Sequence, residues 1–176
     1  MDKKKLISIV TPTFNEEENI EKLCIAVSNV FENSKYDYEH IIIDNNSNDS
    51  TIEILRKLSA NDKKIKVIIN TRNFGHIKSP IYGLLQSRGD ASILLAADFQ
   101  DPVELIDNYI SEWESGYDVV LAQKTESEEN FFSHFTKKIF YNFIRSISEV
   151  SLMTNTTGSG LFDKKIIDSI KKVDDP

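Results

Sequence analysis

The sequence predicts an α/β protein: a mostly parallel sheet with helices on both faces, a three-layer α/β/α sandwich. Three observations point there. Short apolar segments alternate along the chain with longer ones whose apolar residues recur every three or four positions. The short segments are apolar throughout, as strands covered on both sides are. The first four of them each run into a polar cluster rich in Asn, Asp, Thr or Arg. Ligands of such sheets bind outside the carboxyl ends of the strands, so these clusters fall where a site belongs.

Leu6 to Thr11 reads as the first buried strand, broken by PTFNEEENI. Asn15 can cap the helix that follows, with Glu16 to Glu18 in its first turn. Ile20, Leu23, Cys24, Val27 and Phe31 supply its inner face. EHIIID, ending at Asp44, is the second strand, and NNSNDST is its loop, where Asp49 reads as a cap or loop residue. A helix follows with Ile52, Leu55 and Leu58 inward. KVIIN is the third strand and TRNFGH a turn. The next helix runs through Ile77, Ile81, Leu84 and Leu85, with Pro80 tolerated near its first turn. Ile93 to Ala97 forms the fourth strand. Asp101, Pro102 and Glu104 read as N-cap, first and third positions of a helix. Leu105, Ile106, Tyr109, Ile110 and Trp113 make that helix's inner face, and DVVLA is a fifth strand. A long helix is expected over Phe131 to Ser148, a short segment at Ser159 to Phe162, and a last helix from about Lys164. Phe131, Phe132, Phe135, Phe140 and Phe143 read as core of the long helix, or as a greasy groove for a lipid-linked acceptor.

The chain has 176 residues, 40% of them hydrophobic, enough for one domain and too few for two. A net charge of -7 argues against nucleic acid as a partner, since no broad basic face would meet a phosphate backbone. One cysteine, Cys24, leaves no disulfide framework and no cysteine zinc site, and it falls on an apolar helix face. No run of 18 apolar residues and no signal peptide is seen, so a cytoplasmic location is expected. The sequence stops at IKKVDDP, in what reads as a loop, which suggests a catalytic domain trimmed at its C-terminus.

The chemistry is concentrated in ILLAADFQDP, where a strand runs into Asp98, Gln100 and Asp101. Asp98 reads as a ligand for a divalent cation, Mg2+ or Mn2+, of the kind held by one or two carboxylates together with a substrate's phosphate oxygens. Asp101 reads first as a helix cap. The sequence has neither G-x-G-x-x-G nor G-x-x-x-x-G-K-[ST], which sets aside dinucleotide-binding and P-loop readings.

SIVTPTFNEEENI, IIIDNNSNDST, NFGHIKSP, RGDASILLAADFQDPVELI and TGSGLFDKK together resemble the catalytic domain of family 2 glycosyltransferases. The likeness is to the bacterial polyprenyl-phosphate and cell-surface polysaccharide branch, related to dolichol-phosphate mannose synthase. It covers nearly the whole chain and lies in the order of the motifs more than in any one of them. The resemblance implies a GT-A, Rossmann-like fold and a nucleotide-sugar donor, often UDP-linked. It also implies a divalent cation, inverting transfer and a polyprenyl-phosphate or glycan acceptor in cell-envelope polysaccharide synthesis. Carried over, Thr11, Pro12, Thr13, Asn15 and Glu16 match the first nucleotide-binding segment, and Asp44 an acid used on base or ribose. Arg72, Asn73 and Gly75 match a loop near the nucleotide, and Asp90 matches the acid before the fourth strand. Asp98 and Gln100 match the metal segment, and Lys124 stands where a basic residue follows the fifth strand.

The sequence departs from the family pattern at four places. Ala96 occupies the first acid of D-x-D, Asn45 replaces a second Asp, and Lys124 replaces the usual Arg. Gly158 falls near the position of an acid proposed as catalytic base, which leaves the base unassigned. The family normally continues past this length, often into membrane-attaching segments. Two other readings remain: a nucleotide-holding fragment without transfer activity, and a nucleotidyltransferase. The second calls for a glycine- and lysine-rich loop where TPTFNEEEN stands.

Overall fold

The computed structural model describes residues 4–123 and 156–173. The chain divides into two compact units, Met1–Val120 with Ser159–Pro176, and Leu121–Gly158. The described residues of the second unit are strand ends, so the fold that follows is that of the first. Lys124 and the helix expected over Phe131 to Ser148 lie outside the described residues.

The elements are β1 (Leu6–Thr13), α1 (Ile20–Glu32), β2 (Asp37–Asp44), α2 (Thr51–Asn61), β3 (Ile65–Ile69), α3 (Gly75–Gln86), β4 (Ala91–Leu94), α4 (Leu105–Glu114), β5 (Val119–Gln123), β6 (Thr156–Asp163) and α5 (Lys164–Ile170). The sheet order is β3-β2-β1-β4-β6-β5. β1 lies parallel to β2 and β4, and β2 parallel to β3. β6 is antiparallel to β4, with Leu94 opposite Gly160. The expected α/β class holds, and the apolar runs of β1 and β2 are buried along almost their whole length.

Alternate residues of the strands serve opposite faces. Val10, Ile41 and Ile43 pack with Leu84 of α3 and Ile167 of α5. On the other face Tyr38 stacks on Phe31 of α1, ring centroids 4.7 Å apart. α1 buries Ile20, Leu23, Cys24, Val27 and Phe31, the stripe its periodicity predicts. Burial raises the Cys24 thiol to about 12, as suits a core residue.

Three helix starts differ from expectation. α1 begins at Ile20 after Asn19, so Asn15 does not cap it. α4 begins at Leu105, and Asp101 lies outside it, without a capping role. α3 begins at Gly75, which puts Pro80 in its second turn. The inward face of α3 also differs: Ser79, Pro80, Gly83 and Leu84 are buried, while Ile77 is 62% and Ile81 44% exposed. The reason is close approach. A Cβ on Gly83 would come within 2.1 Å of Ile43 Cδ1 and 2.7 Å of Val10 Cγ1, so small residues are what let this helix settle on the sheet.

Candidate functional site

Parallel alignment of β1, β2, β3 and β4 brings their carboxyl ends to one edge. Thr13 lies opposite Asp44, and Asp44 opposite Ile69, which places the loops after three strands side by side. Each loop of the edge contains a residue with left-handed backbone: Asn15 (φ 57), Asn46 (φ 64), Gly75 (φ 83) and Phe99 (φ 57). Asn tolerates this region. A Phe there is strained by roughly 1–2 kcal/mol and persists because its surroundings hold it.

The first two loops are laced together. Asn15 N–H donates to Ser47 Oγ (2.8 Å), Glu16 N–H to Thr51 Oγ1 (2.8 Å) and Glu17 N–H to an Asp49 carboxylate oxygen (3.2 Å). In return, Asn48 N–H donates to Asn15 Oδ1 (2.9 Å) and Ser50 N–H to a Glu17 carboxylate oxygen (2.8 Å). This lacing explains the αL conformation of Asn15, whose side chain reaches across the gap instead of back to a helix. Burial works to raise the Asp49 carboxyl, but the hydrogen bonds from Thr51 and Glu17 outweigh it and hold the group below its ordinary value.

Asp44 is fully buried. Its Oδ1 accepts Ser47 N–H (2.9 Å), and its Oδ2 accepts the hydroxyls of Ser47 (2.5 Å) and Thr13 (3.4 Å). It thus folds the loop after β2. Asn45 does the same for the third loop, its Oδ1 accepting from Asn70 Nδ2 (3.0 Å) and Phe74 N–H (3.4 Å). An acceptor is what this position uses, and Asn supplies one without charge. In the third loop Gly75 N–H donates to Asn73 Oδ1 (2.7 Å), and the Arg72 guanidinium lies over the Phe74 ring at 4.7 Å.

The loop after β4 carries Asp98, which is exposed, with Oδ1 accepting Gln100 N–H (3.1 Å). Gln100 is exposed as well, and Ala96 is half-buried. Among the described residues no group of three or more His, Cys, Asp or Glu side chains is arranged to hold a metal ion by itself. One carboxylate and a nearby amide fit a weakly held hard cation that is completed by a ligand's phosphate oxygens, and do not fit a protein-enclosed metal. Asp101 is buried and accepts the Ser159 hydroxyl at 2.5 Å.

Two expected contacts are placed elsewhere. Asp90 lies at the amino ends of the strands, where its carboxylate accepts Leu6 N–H (2.8 Å) and its own N–H donates to Leu6 O (2.7 Å). Leu6 and Thr13 bound the eight residues of β1, so about 23 Å, at roughly 3.3 Å per residue, separates Asp90 from the loop edge. It closes the sheet's far end instead of meeting a nucleotide. Thr11 is fully buried, with its hydroxyl 3.0 Å from His40 Nε2. It belongs to the core, and Pro12 beside it is half-buried. The serines and threonine that lace the loops, Ser47, Thr51 and Ser159, were not singled out from sequence. Small hydroxyl residues are common in loops, and only the partner across space distinguishes these.

Comparisons with known proteins agree with this architecture. Residues 8–170 match the family model described as Glycosyl transferase family 2. An uncharacterized glycosyltransferase of Bacillus subtilis, YkcC, is 35% identical over 167 residues, covering 94% of this chain and 52% of its own length. The bactoprenol glucosyl transferase of Shigella phage SfV is 33% identical over 166 residues, covering 94% and 54%. The chain therefore spans about half the length of these relatives. Residues 1–349 of Staphylococcus aureus TarS superpose with a TM-score of 0.63 at 19% identity, over 94% of this chain and 49% of that one. Glucosyl-3-phosphoglycerate synthase from Mycobacterium tuberculosis, solved with Mn2+, UDP-glucose and phosphoglyceric acid, gives 0.63 at 19%, over 92% and 57%. The fold is GT-A. A family match over nearly all of the chain, on a sheet whose loops gather at one edge, places this protein among the family 2 glycosyltransferases.

Proposed function

We propose that the chain is the donor-binding catalytic domain of an inverting glycosyltransferase. It moves a sugar from a UDP-linked donor to a polyprenyl phosphate in cell-envelope polysaccharide synthesis, at the cytoplasmic face of the membrane. The observation that carries the reading is the loop edge, where exposed Asp98 and Gln100 stand beyond β4 in the same row as the laced loops after β1 and β2. The likeness to a bactoprenol glucosyl transferase supports a lipid-phosphate acceptor, and TarS has been solved with UDP-GlcNAc. Among the described residues no helix is long and apolar enough to cross a membrane.

In this reading Asn15, Glu16, Asn73 and Gly75 line the nucleotide's approach, and the buried pair Thr13 and Asp44 shapes that surface from beneath. Lys124 would serve the diphosphate. Asp98 and Gln100 would hold Mg2+ or Mn2+, which neutralises charge developing on the leaving diphosphate. An acceptor oxygen forms a bond to the anomeric carbon as the bond to the nucleoside diphosphate breaks on the opposite face. An acceptor phosphate is already an anion at neutral pH, whereas a glycan hydroxyl must surrender its proton to a base.

Calorimetric titration of UDP, with GDP, CDP and dTDP as controls, with and without manganese, tests the donor half. Wild type should bind UDP with manganese, and Asp98→Asn should lose at least about tenfold in that metal-dependent affinity. Unchanged binding in Asp98→Asn would remove Asp98 from the role. Transfer of radiolabelled sugar to a polyprenyl phosphate tests the acceptor half. UDP binding without transfer to any acceptor would leave a nucleotide-holding fragment, the reading that the half-length match favours second.

A further inference from the structure

We propose that Asp101 is a positioning residue, whose hydrogen bond with Ser159 clamps the Asp98–Gln100 segment to β6. The inference deepens the metal and diphosphate role proposed for that segment. Asp101 follows it directly and is 6% exposed. Ser159 is 2% exposed and lies 58 residues on, and the two meet at 2.5 Å. The local explanation for an acid before a proline, helix capping, is absent, because α4 starts four residues later and has no side-chain cap.

The loop is held at two ends. On the strand side, Leu95 N–H donates to Val10 O at 2.9 Å. On the helix side the Asp101 carboxylate takes the Ser159 hydroxyl. Between these anchors lie Ala96 to Gln100, including Phe99 with φ 57 and 39% exposure. A residue in that backbone region relaxes unless its flanks are fixed. Asp98 precedes it by one position, and its Oδ1 accepts Gln100 N–H across it (3.1 Å), so the carboxylate and the Phe99 backbone are fixed together. The Tyr109 hydroxyl is also buried and has no hydrogen-bond partner among the described residues. Burial first, and the Asp101 charge second, raise it to about 12, so it keeps its proton.

The test compares Ser159→Ala, Asp101→Ala and Asp101→Asn with wild type by three readouts. These are hydrogen exchange of a peptide spanning the loop, manganese-dependent UDP affinity and the urea midpoint. Asn can still bond to the serine hydroxyl. Both alanine variants should speed exchange of the loop amides and weaken metal-dependent UDP binding by about tenfold, the equivalent of one buried hydrogen bond. Asp101→Asn should stay within about threefold of wild type on both. Loss in Asp101→Asn equal to that in Asp98→Asn, with loop exchange unchanged, would make Asp101 a ligand and overturn the clamp. A lower urea midpoint with exchange and affinity unchanged would overturn it too, leaving core packing. If wild type binds no nucleotide but loop exchange follows the expected pattern, the clamp stands and the donor-site reading falls.

Discussion

His40 should make this fold sensitive to mild acid. It sits on β2 with 1% exposure, held by Thr11 through Nε2, and its Nδ1 has no partner among the described residues. Burial lowers it from 6.5 to about 3, because a second proton would place an unpaired charge in the sheet. The folded value is depressed, so protonation favours the unfolded chain. Above pH 6.5 the ring is neutral in both states and contributes nothing. Below it the unfolded state gains a proton that the folded state refuses, and stability falls until the folded value is reached. Between pH 7 and pH 5 the loss is about 2 kcal/mol, a figure that needs only a folded value well under 5. The carboxylates held below their ordinary values, Asp37, Glu39, Asp49, Glu114 and Asp163, start from 3.8 or 4.5. Their stabilisation is lost as pH falls through still lower values, below this window. The assay is urea unfolding at pH 7 and pH 5 for wild type and His40→Gln. Wild type should lose about 2 kcal/mol more than the variant between the two pH values. Equal losses would refute the assignment, whatever the variant's stability at pH 7.

Two further outcomes test packing and placement. Asp90→Ala should cost about 1–2 kcal/mol in urea unfolding, for a lost bond to Leu6 N–H, while UDP affinity stays unchanged, because Asp90 lies at the far end of the sheet. A matching fall in UDP affinity would return it to the site. Gly83→Ala gains about 1 kcal/mol of helix propensity but overpacks Ile43 and Val10 by about 1–3, so a net loss near 1 kcal/mol is expected. Adding Ile43→Val removes the Cδ1 that is struck first, so the double variant should be more stable than the sum of the two predicts, and strict additivity would refute the clash.

The sheet was readable because its strands are apolar on both sides, a pattern that survives without tertiary context. α1 was readable residue by residue, since its buried stripe is also its largest apolar stripe. α3 was not, because periodicity weighs side chains by size. This helix faces the sheet with Ser79, Pro80 and Gly83, and leaves its isoleucines outside. The loops after each strand were readable as a set, because a parallel sheet delivers them to one edge. Individual roles were less so. Asp44, Asp90, Asp98 and Asp101 are all acids beside strands, yet the fold buries two, places one at the opposite end and exposes one. Chain position cannot separate these, because the difference lies in partners such as Ser47, Leu6 and Ser159, up to 84 residues away.

The left-handed residues along the carboxyl edge have a consequence for how this surface meets a ligand. Three of the four loops hold Asn or Phe in a conformation that glycine would adopt freely. Glycine would leave each loop many shapes to sample and many to surrender on capture. Here that loss of freedom, roughly 1 kcal/mol or more per residue, falls on folding instead of on binding. These three loops thus have fewer shapes to surrender when a partner arrives. Loosening them with glycines would trade recognition for stability, because relief of backbone strain and readiness to bind draw on the same three residues.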